Sequence, residues 1–391
     1  MRTAIRGVTC VTPEHELPAR TVVIHDTVIG EISSDPNAGH DADLVIDAQH
    51  AVLAPGLIDL HTHGGGGADI MSGTEAAVQA LGQFLARHGV TSYLPTTVSA
   101  GPDELTTVID AVAPLLTAPQ AGGARPLGVH LEGPFLAHSH RGAQTPSALR
   151  LPDPVEYRSW FEGGVVKLVT AAPELTGAPA MIAAAAAADV RVAVGHTAAD
   201  YEQAVVAFDR GADQVTHTFN GMPGLHHREP GMIGAALTDG RVYAQIIVDG
   251  HHLHPAVVDL VVRAKGPGRT LLVSDSIVAA GLPDDEYELG PTWIRVTDGV
   301  PRTQDGGLAG SVLTLDAAVR NVREATGLPL RDCLAMATSS PAAAMGWSAT
   351  RGHLRVGREA DLTLCTTELE VLATWVAGDL VHRHPSLEVR R

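Results

Sequence analysis

Two histidines separated by one residue, His61 and His63, close the run APGLIDLHTHGGGG at 54–67. In a β-strand, residues i and i+2 point to the same side, so the pair presents two imidazoles to one space, as metal ligands do. The glycines behind them mark where the chain leaves the strand and where something needs room close to the backbone. His-x-His alone is as often an ordinary strand end, so its meaning depends on what shares its position. Glu132, His196, His217 and Asp275 each stand at the C-terminal end of another apolar, β-branched run. All six are metal-ligand or proton-transfer types, and together they are far more specific than any one. Imidazole and carboxylate without thiolate fit zinc, iron, manganese or cobalt, and geometry alone does not choose among them. A divalent ion with three protein ligands and an open position lowers the pKa of its water to about 7, which makes hydroxide available for hydrolysis. Asp275 is then the candidate base that takes the water proton and hands it to the leaving group, with a further metal ligand as its alternative role.

The elements that must position these residues are legible in the same text. Eight β-like runs, ending near 63, 97, 132, 172, 197, 218, 249 and 275, alternate with helix-like stretches. This is the signature of βα units, and eight of them imply an α/β fold built as a (β/α)₈ TIM-like barrel. In such a barrel chemistry sits where the strands finish, which is where the six residues fall. Alternating β text at both chain ends implies a small antiparallel sheet, a β-sandwich domain made of 1–53 plus 352–391. The barrel is expected over 54–351, with a β insertion near 283–310. The alanine run at 183–188 reads as part of one helix.

Composition narrows the function classes. At 391 residues with a formal net charge of −17, the chain repels polyanions, so neither nucleic acid nor an anionic membrane is an expected partner. An anionic small molecule must be held by a local basic pocket. Cys10, Cys333 and Cys365 lie far apart and form no thiolate metal motif, which fits buried residues in a reducing cytoplasm. No apolar signal region and no unbroken run of 18 apolar residues is present, so a cytoplasmic protein is expected. No glycine run leads into a Gly-Lys-Ser/Thr phosphate loop.

The segments HTHGGGG, HLEGPF (130–135), GHT (195–197), THTFNGMPGLHHREPG (216–231), VDGHH (248–252), VSDS (273–276) and LAGSVLTLDAAVRN (308–321) resemble the N-acetylglucosamine-6-phosphate deacetylases of the amidohydrolase superfamily. The resemblance covers nearly the whole chain. It implies that Glu132, His196 and His217 hold the principal metal and that Asp275 is the catalytic carboxylate. It also implies a second ion at His61 and His63 bridged by Glu132, hence one or two ions per subunit, zinc first with iron, manganese or cobalt as alternatives. Branches of the superfamily that bridge with a carboxylated lysine are disfavoured, because the fourth run ends Ala171-Ala172-Pro173-Glu174 and Lys167 falls earlier. The resemblance maps phosphate contacts onto Arg228 and His252, both reaching the neighbouring subunit of a homodimer. Asn220, Gly221, Met222 and Ala143 follow as further substrate contacts. The histidines at 138, 140, 226, 227, 251 and 254 read as loop residues.

One position departs from the pattern. Where such enzymes carry a histidine that polarises the acetamide carbonyl, this chain has Gln144, in Gly142-Ala143-Gln144-Thr145-Pro146. Glutamine donates a neutral hydrogen bond but carries no positive charge. The expected reaction is deacetylation of an N-acetyl amino sugar 6-phosphate, with Asp275 as base and acid and Gln144 on the oxyanion. The rivals are an amidohydrolase of the same fold acting on another N-acyl sugar or small amide, and a non-catalytic sugar-phosphate-binding protein.

Overall fold

The computed structural model describes residues 1–117, 122–290 and 292–390. Five strands open the chain: β1 (Arg2–Val11), β2 (Glu16–His25), β3 (Val28–Ser33), β4 (Leu44–Asp47) and β5 (Val52–Pro55). Then strand and helix alternate, beginning with β6 (Leu57–Thr62), α1 (Glu75–Arg87), β7 (Val90–Thr97), α2 (Pro102–Val112), β8 (Val129–Glu132) and α3 (Pro154–Glu162). The alternation continues through β9 (Val166–Ala171), α4 (Ala178–Ala187), β10 (Arg191–Val194), α5 (Tyr201–Asp209), β11 (Ala212–Val215) and α6 (Gly231–Thr238). It ends with β12 (Tyr243–Ile246), α7 (Pro255–Lys265) and β13 (Thr270–Leu272), an inserted meander of β14 (Glu286–Leu289), β15 (Thr292–Thr297) and β16 (Val300–Thr303), and α8 (Leu315–Thr326). Four strands close the chain: β17 (Leu362–Cys365), β18 (Val371–Val376), β19 (Asp379–Arg383) and β20 (Val389–Arg390).

Strands β6 to β13 pair in chain order, every pair parallel. The first and last meet through the parallel bridge Thr62–Ser276, which nearly closes the (β/α)₈ barrel that the eight runs imply. Parallel strands between a filled interior and a helix layer are covered on both faces, and all eight residues of β7 are buried. Local signals set the helices behind them. The Thr74 side chain accepts from Ala77 N at the start of α1, and Asp200 with Gln203 makes a capping box on α5. The alanine run lies in α4. Four strands stop short of the apolar runs that announced them: β10, β11, β12 and β13 end at Val194, Val215, Ile246 and Leu272. The residues beyond leave the ladder and turn inward over the barrel mouth.

The two chain ends share one sheet of nine strands. Here the expectation of an antiparallel sheet needs correction. β1 is antiparallel to β2, but its first half runs parallel to β4 and its second half parallel to β5. Alternation reports which side chains face inward and not which way the neighbour runs. The sheet therefore branches at β1 and wraps its own core, which includes Ile5, Val22, Ile46, Leu53, Leu364 and Trp375. β17 pairs with β5, and Gly56 N donates to Asp361 O at 2.8 Å, so this sheet sets where β6 enters the barrel. Arg125 and Arg351, both against Glu359 and Asp361, tie barrel and sheet together. Among the described residues no helix is long and apolar enough to cross a membrane.

Candidate active site

The six residues singled out by type and position converge at the C-terminal mouth of the barrel. His61 lies inside β6, and Glu132 is the last residue of β8. His196, His217 and Asp275 follow the ends of β10, β11 and β13, and all three adopt left-handed backbone conformations, with φ of 48°, 28° and 50°. Non-glycine residues there cost of order 1–3 kcal/mol each, and such strain concentrates at functional sites. It is held by neighbours: Thr197 N donates to Gly221 O, Asn220 N to His217 O, and Asp275 N to His61 O. The last of these belongs to the barrel's closing seam. Along it Thr62, Ser274 and Ser276 bond one another and the carbonyls of His61 and Gly64.

Glu132 occupies the centre. Its Oε1 lies 3.1 Å from His217 Nε2, 3.2 Å from His196 Nε2 and 3.4 Å from His61 Nε2, and its Oε2 lies 3.4 Å from His63 Nε2. Asp275 Oδ1 stands 3.3 Å from His61 Nε2 and 3.1 Å from His63 Nε2. Two overlapping triads can thus each hold a cation, His61–His63–Glu132 and Glu132–His196–His217. Burial opposes ionisation of both carboxylates, but the surrounding imidazoles outweigh it. Glu132 is held well below the usual carboxylate range, and Asp275 is lowered to about 2. Burial also works against a charged His63, yet its bonds to Asp275 and Glu132 raise it to about 10.

Outward-facing imidazole nitrogens are anchored by backbone carbonyls, as metal-ligating histidines require. His63 Nδ1 meets Thr96 O at 3.1 Å, His196 Nδ1 meets His140 O at 2.8 Å, and His217 Nδ1 meets Asn220 O at 3.1 Å. His61 Nδ1 is buried and has no partner among the described residues.

A cavity of about 150 Å³ opens over Glu132, His196, His217 and Asp275, and Ala143, Gln144, Asn220, Gly221 and His252 also border it. Asn220 Nδ2 is buried and has no partner among the described residues, so it is a donor available to a ligand. Met222 faces the apolar core instead of the cavity. His252 also lies at this mouth. This ring borders the cavity of its own chain, because Asp249, just past β12, accepts from the amides of His251 and His252 and meets the His252 ring Nδ1 at 2.7 Å. Burial disfavours the His252 cation, but Asp249 outweighs it and raises the ring above its ordinary range. Arg228 is exposed on its loop, 2.8 Å from His227 Nε2, and does not border this chain's cavity. Lys167 lies within β9, and His254 caps α7.

Gln144 is held at both ends. Its amide is not directed only at the cavity: Oε1 accepts from Ser99 N and Nε2 donates to Glu132 Oε2, both at 2.6 Å.

Several supporting residues escaped the sequence reading. His130, two residues before Glu132 on β8, is fully buried beneath the site. Its Nε2 meets Thr170 Oγ1 at 2.7 Å, which meets Thr216 Oγ1 at 2.7 Å, and its ring packs edge-on against His61. Its position two residues before Glu132 was the available signal. Asp59 stands in the same relation to His61 and accepts from His61 N and Ser274 N. Glu174 accepts from Thr197 Oγ1 and Ala198 N and steadies the turn after His196.

A model of the amidohydrolase family matches residues 52–381. Over 97% of its length and 99% of the relative's, the chain is 38% identical to an N-acetylgalactosamine-6-phosphate deacetylase of Escherichia coli O157:H7. It is 37% identical to an N-acetylglucosamine-6-phosphate deacetylase of Vibrio furnissii over 84% of this chain and 82% of that one. Among solved structures, the N-acetyl-D-glucosamine-6-phosphate deacetylase of Mycobacterium smegmatis, in complex with N-acetyl-D-glucosamine-6-phosphate, superposes with a TM-score of 0.91 at 34% identity, covering 97% of this chain and 99% of that one.

Proposed function

This chain belongs to the amidohydrolase family, and from that premise we propose that it hydrolyses the acetamide of an N-acetyl amino sugar 6-phosphate, N-acetylglucosamine 6-phosphate first, to acetate and the free amine. The observation that carries this reading is the convergence of Glu132, the four histidines and Asp275 at and beneath the floor of one cavity. Buried imidazole and carboxylate atoms without thiolate suit a divalent cation, and zinc is the proposed ion. Glu132, His196 and His217 would hold the principal one, with His61 and His63 sharing Glu132 for a second. Such a cation withdraws charge from the amide carbonyl and makes water a nucleophile at neutral pH.

The remaining work falls to side chains. Asp275, ionised throughout the neutral range, takes a proton from the attacking water. It returns that proton to the nitrogen as the new C–O bond forms and the C–N bond breaks. Asn220 donates to the sugar phosphate from the cavity wall. His252, whose cation Asp249 favours, binds the phosphate within its own subunit. Arg228 does not border this chain's cavity, so the reading assigns it to the phosphate site of a second copy in a homodimer, where a guanidinium binds phosphate bidentately. The three cysteines are free, in keeping with a cytoplasmic site of action.

The relative at 38% identity favours a second reading, in which the galacto epimer is the preferred substrate. Acetate release from both epimers, measured with elemental analysis of the same sample, tests the proposal. Release that falls about 10²–10⁴-fold in Asp275→Asn supports the assigned base. Fully metallated protein that releases acetate from neither epimer would sink the reading.

A further inference from the structure

Gln144 is where this chain departs from the pattern it otherwise follows, and the structure gives the residue a different task from the one its position implies. The side chain is 6% exposed and clamped at both ends. A backbone N–H can only donate, so the atom facing Ser99 N at 2.6 Å must be the amide oxygen. The other end is then the NH₂ group, and it meets Glu132 Oε2 at 2.6 Å, where a carboxylate can only accept. Neither contact survives a flip of the amide. The turn that carries Gln144 is fixed as well, by Gln144 N donating to Arg141 O at 3.1 Å.

The consequence falls on Glu132. With Oε2 held by Gln144, the plane of the carboxylate is set, and Oε1 is left facing His196 Nε2 and His217 Nε2. We propose that Gln144 is a positioning residue that fixes the rotation of Glu132, so that Oε1 is presented with His196 and His217 to the principal cation. This rests on the reading above in which Glu132 is a cation ligand. Gln144 also borders the cavity, so a contact with substrate is compatible with the role but is not its basis. Hydrogen-bond partners of metal ligands typically change metal affinity about 10–100-fold when removed.

The test uses the metal-free full-length protein titrated with Co²⁺ alone, followed by visible absorption and calorimetry, in the wild type, Gln144→Met, Gln144→Asn and Glu132→Gln. Methionine keeps the length and loses the donor. Asparagine stays polar but is one methylene too short to reach both Ser99 and Glu132. Both are expected to weaken the first cobalt about 10–100-fold and to change its absorption bands, with Glu132→Gln losing it more completely. Should methionine fail to fold, asparagine alone decides. Cobalt affinity and spectrum unchanged in the Gln144 variants, alongside loss in Glu132→Gln, would overturn the positioning role and leave the Glu132 assignment standing. Glu132→Gln that binds cobalt like the wild type would instead remove the Glu132 assignment on which the inference rests.

Discussion

The two halves of the centre share Glu132 and little else. On one side His61 and His63 sit at the end of one strand, two residues apart, and their spacing alone aims both rings at one point. On the other, His196 and His217 stand on separate turns past β10 and β11, each in a left-handed conformation and each with Nδ1 on a backbone carbonyl. The strand-borne half is simple to encode but less well supported, since His61 Nδ1 has no partner among the described residues. The turn-borne half needs neighbouring loops to hold it, and those loops also lock its rings. Preorganised ligands bind more tightly than loosely held ones. The difference teaches that the histidines easiest to find in the text are not those expected to hold the principal cation.

Unequal truncations give the largest expected effect. His217→Ala or His196→Ala should remove the principal cation and take activity to background, whereas His63→Ala should keep one ion and lose activity by only about 10–100-fold, the scale of a supporting interaction. Elemental analysis and acetate release on the same samples decide it. Equal losses on both sides would erase the distinction.

A smaller effect separates the centre from the phosphate end of the cavity. His252 has its pKa raised by Asp249, so its cation is fully present below the ordinary imidazole value and is lost as pH rises through the raised one. KM should therefore rise on the alkaline side while kcat holds. Asp249→Asn should move that rise to lower pH, with KM about tenfold higher near neutrality, which corresponds to roughly 1.4 kcal/mol. A KM profile indifferent to Asp249 would separate His252 from phosphate binding.

The smallest effect on catalysis is expected beneath the shared floor. Thr170→Val breaks the His130–Thr170–Thr216 chain and leaves a buried ring nitrogen unpaired, at a cost of about 1–3 kcal/mol. Burial and the neighbouring His61 hold His130 well below its ordinary pKa, so this is a neutral network whose loss appears in thermal unfolding and not in cobalt affinity. A large drop in metal content instead would show that His130 orients His61.

Much of the architecture was legible in the chain. Eight apolar runs alternating with helical text specify a parallel sheet with helices behind it, and eight such units are the number that closes a barrel. Barrel topology in turn sends the residues at those run ends to one mouth, which is why His61, His63, Glu132, His196, His217 and Asp275 group together from the chain alone. Less was legible at the edges. The branched pairing of β1 was hidden, because alternation reports the face of a strand and not the direction of its neighbour.

The sequence by itself determined the residue types, the periods and hence the order of strands around the barrel, since these depend on local burial and chain connectivity. Tertiary structure alone decided the left-handed turns of His196, His217 and Asp275, the return of His252 to its own cavity, and the clamp of Gln144 between Ser99 and Glu132. The clamp of Gln144 and the turns of His196 and Asp275 each rest on a contact between segments far apart in the chain. Its geometry is set by the seam where the barrel closes and by the loops that pack over it, and no local pattern of residues records either.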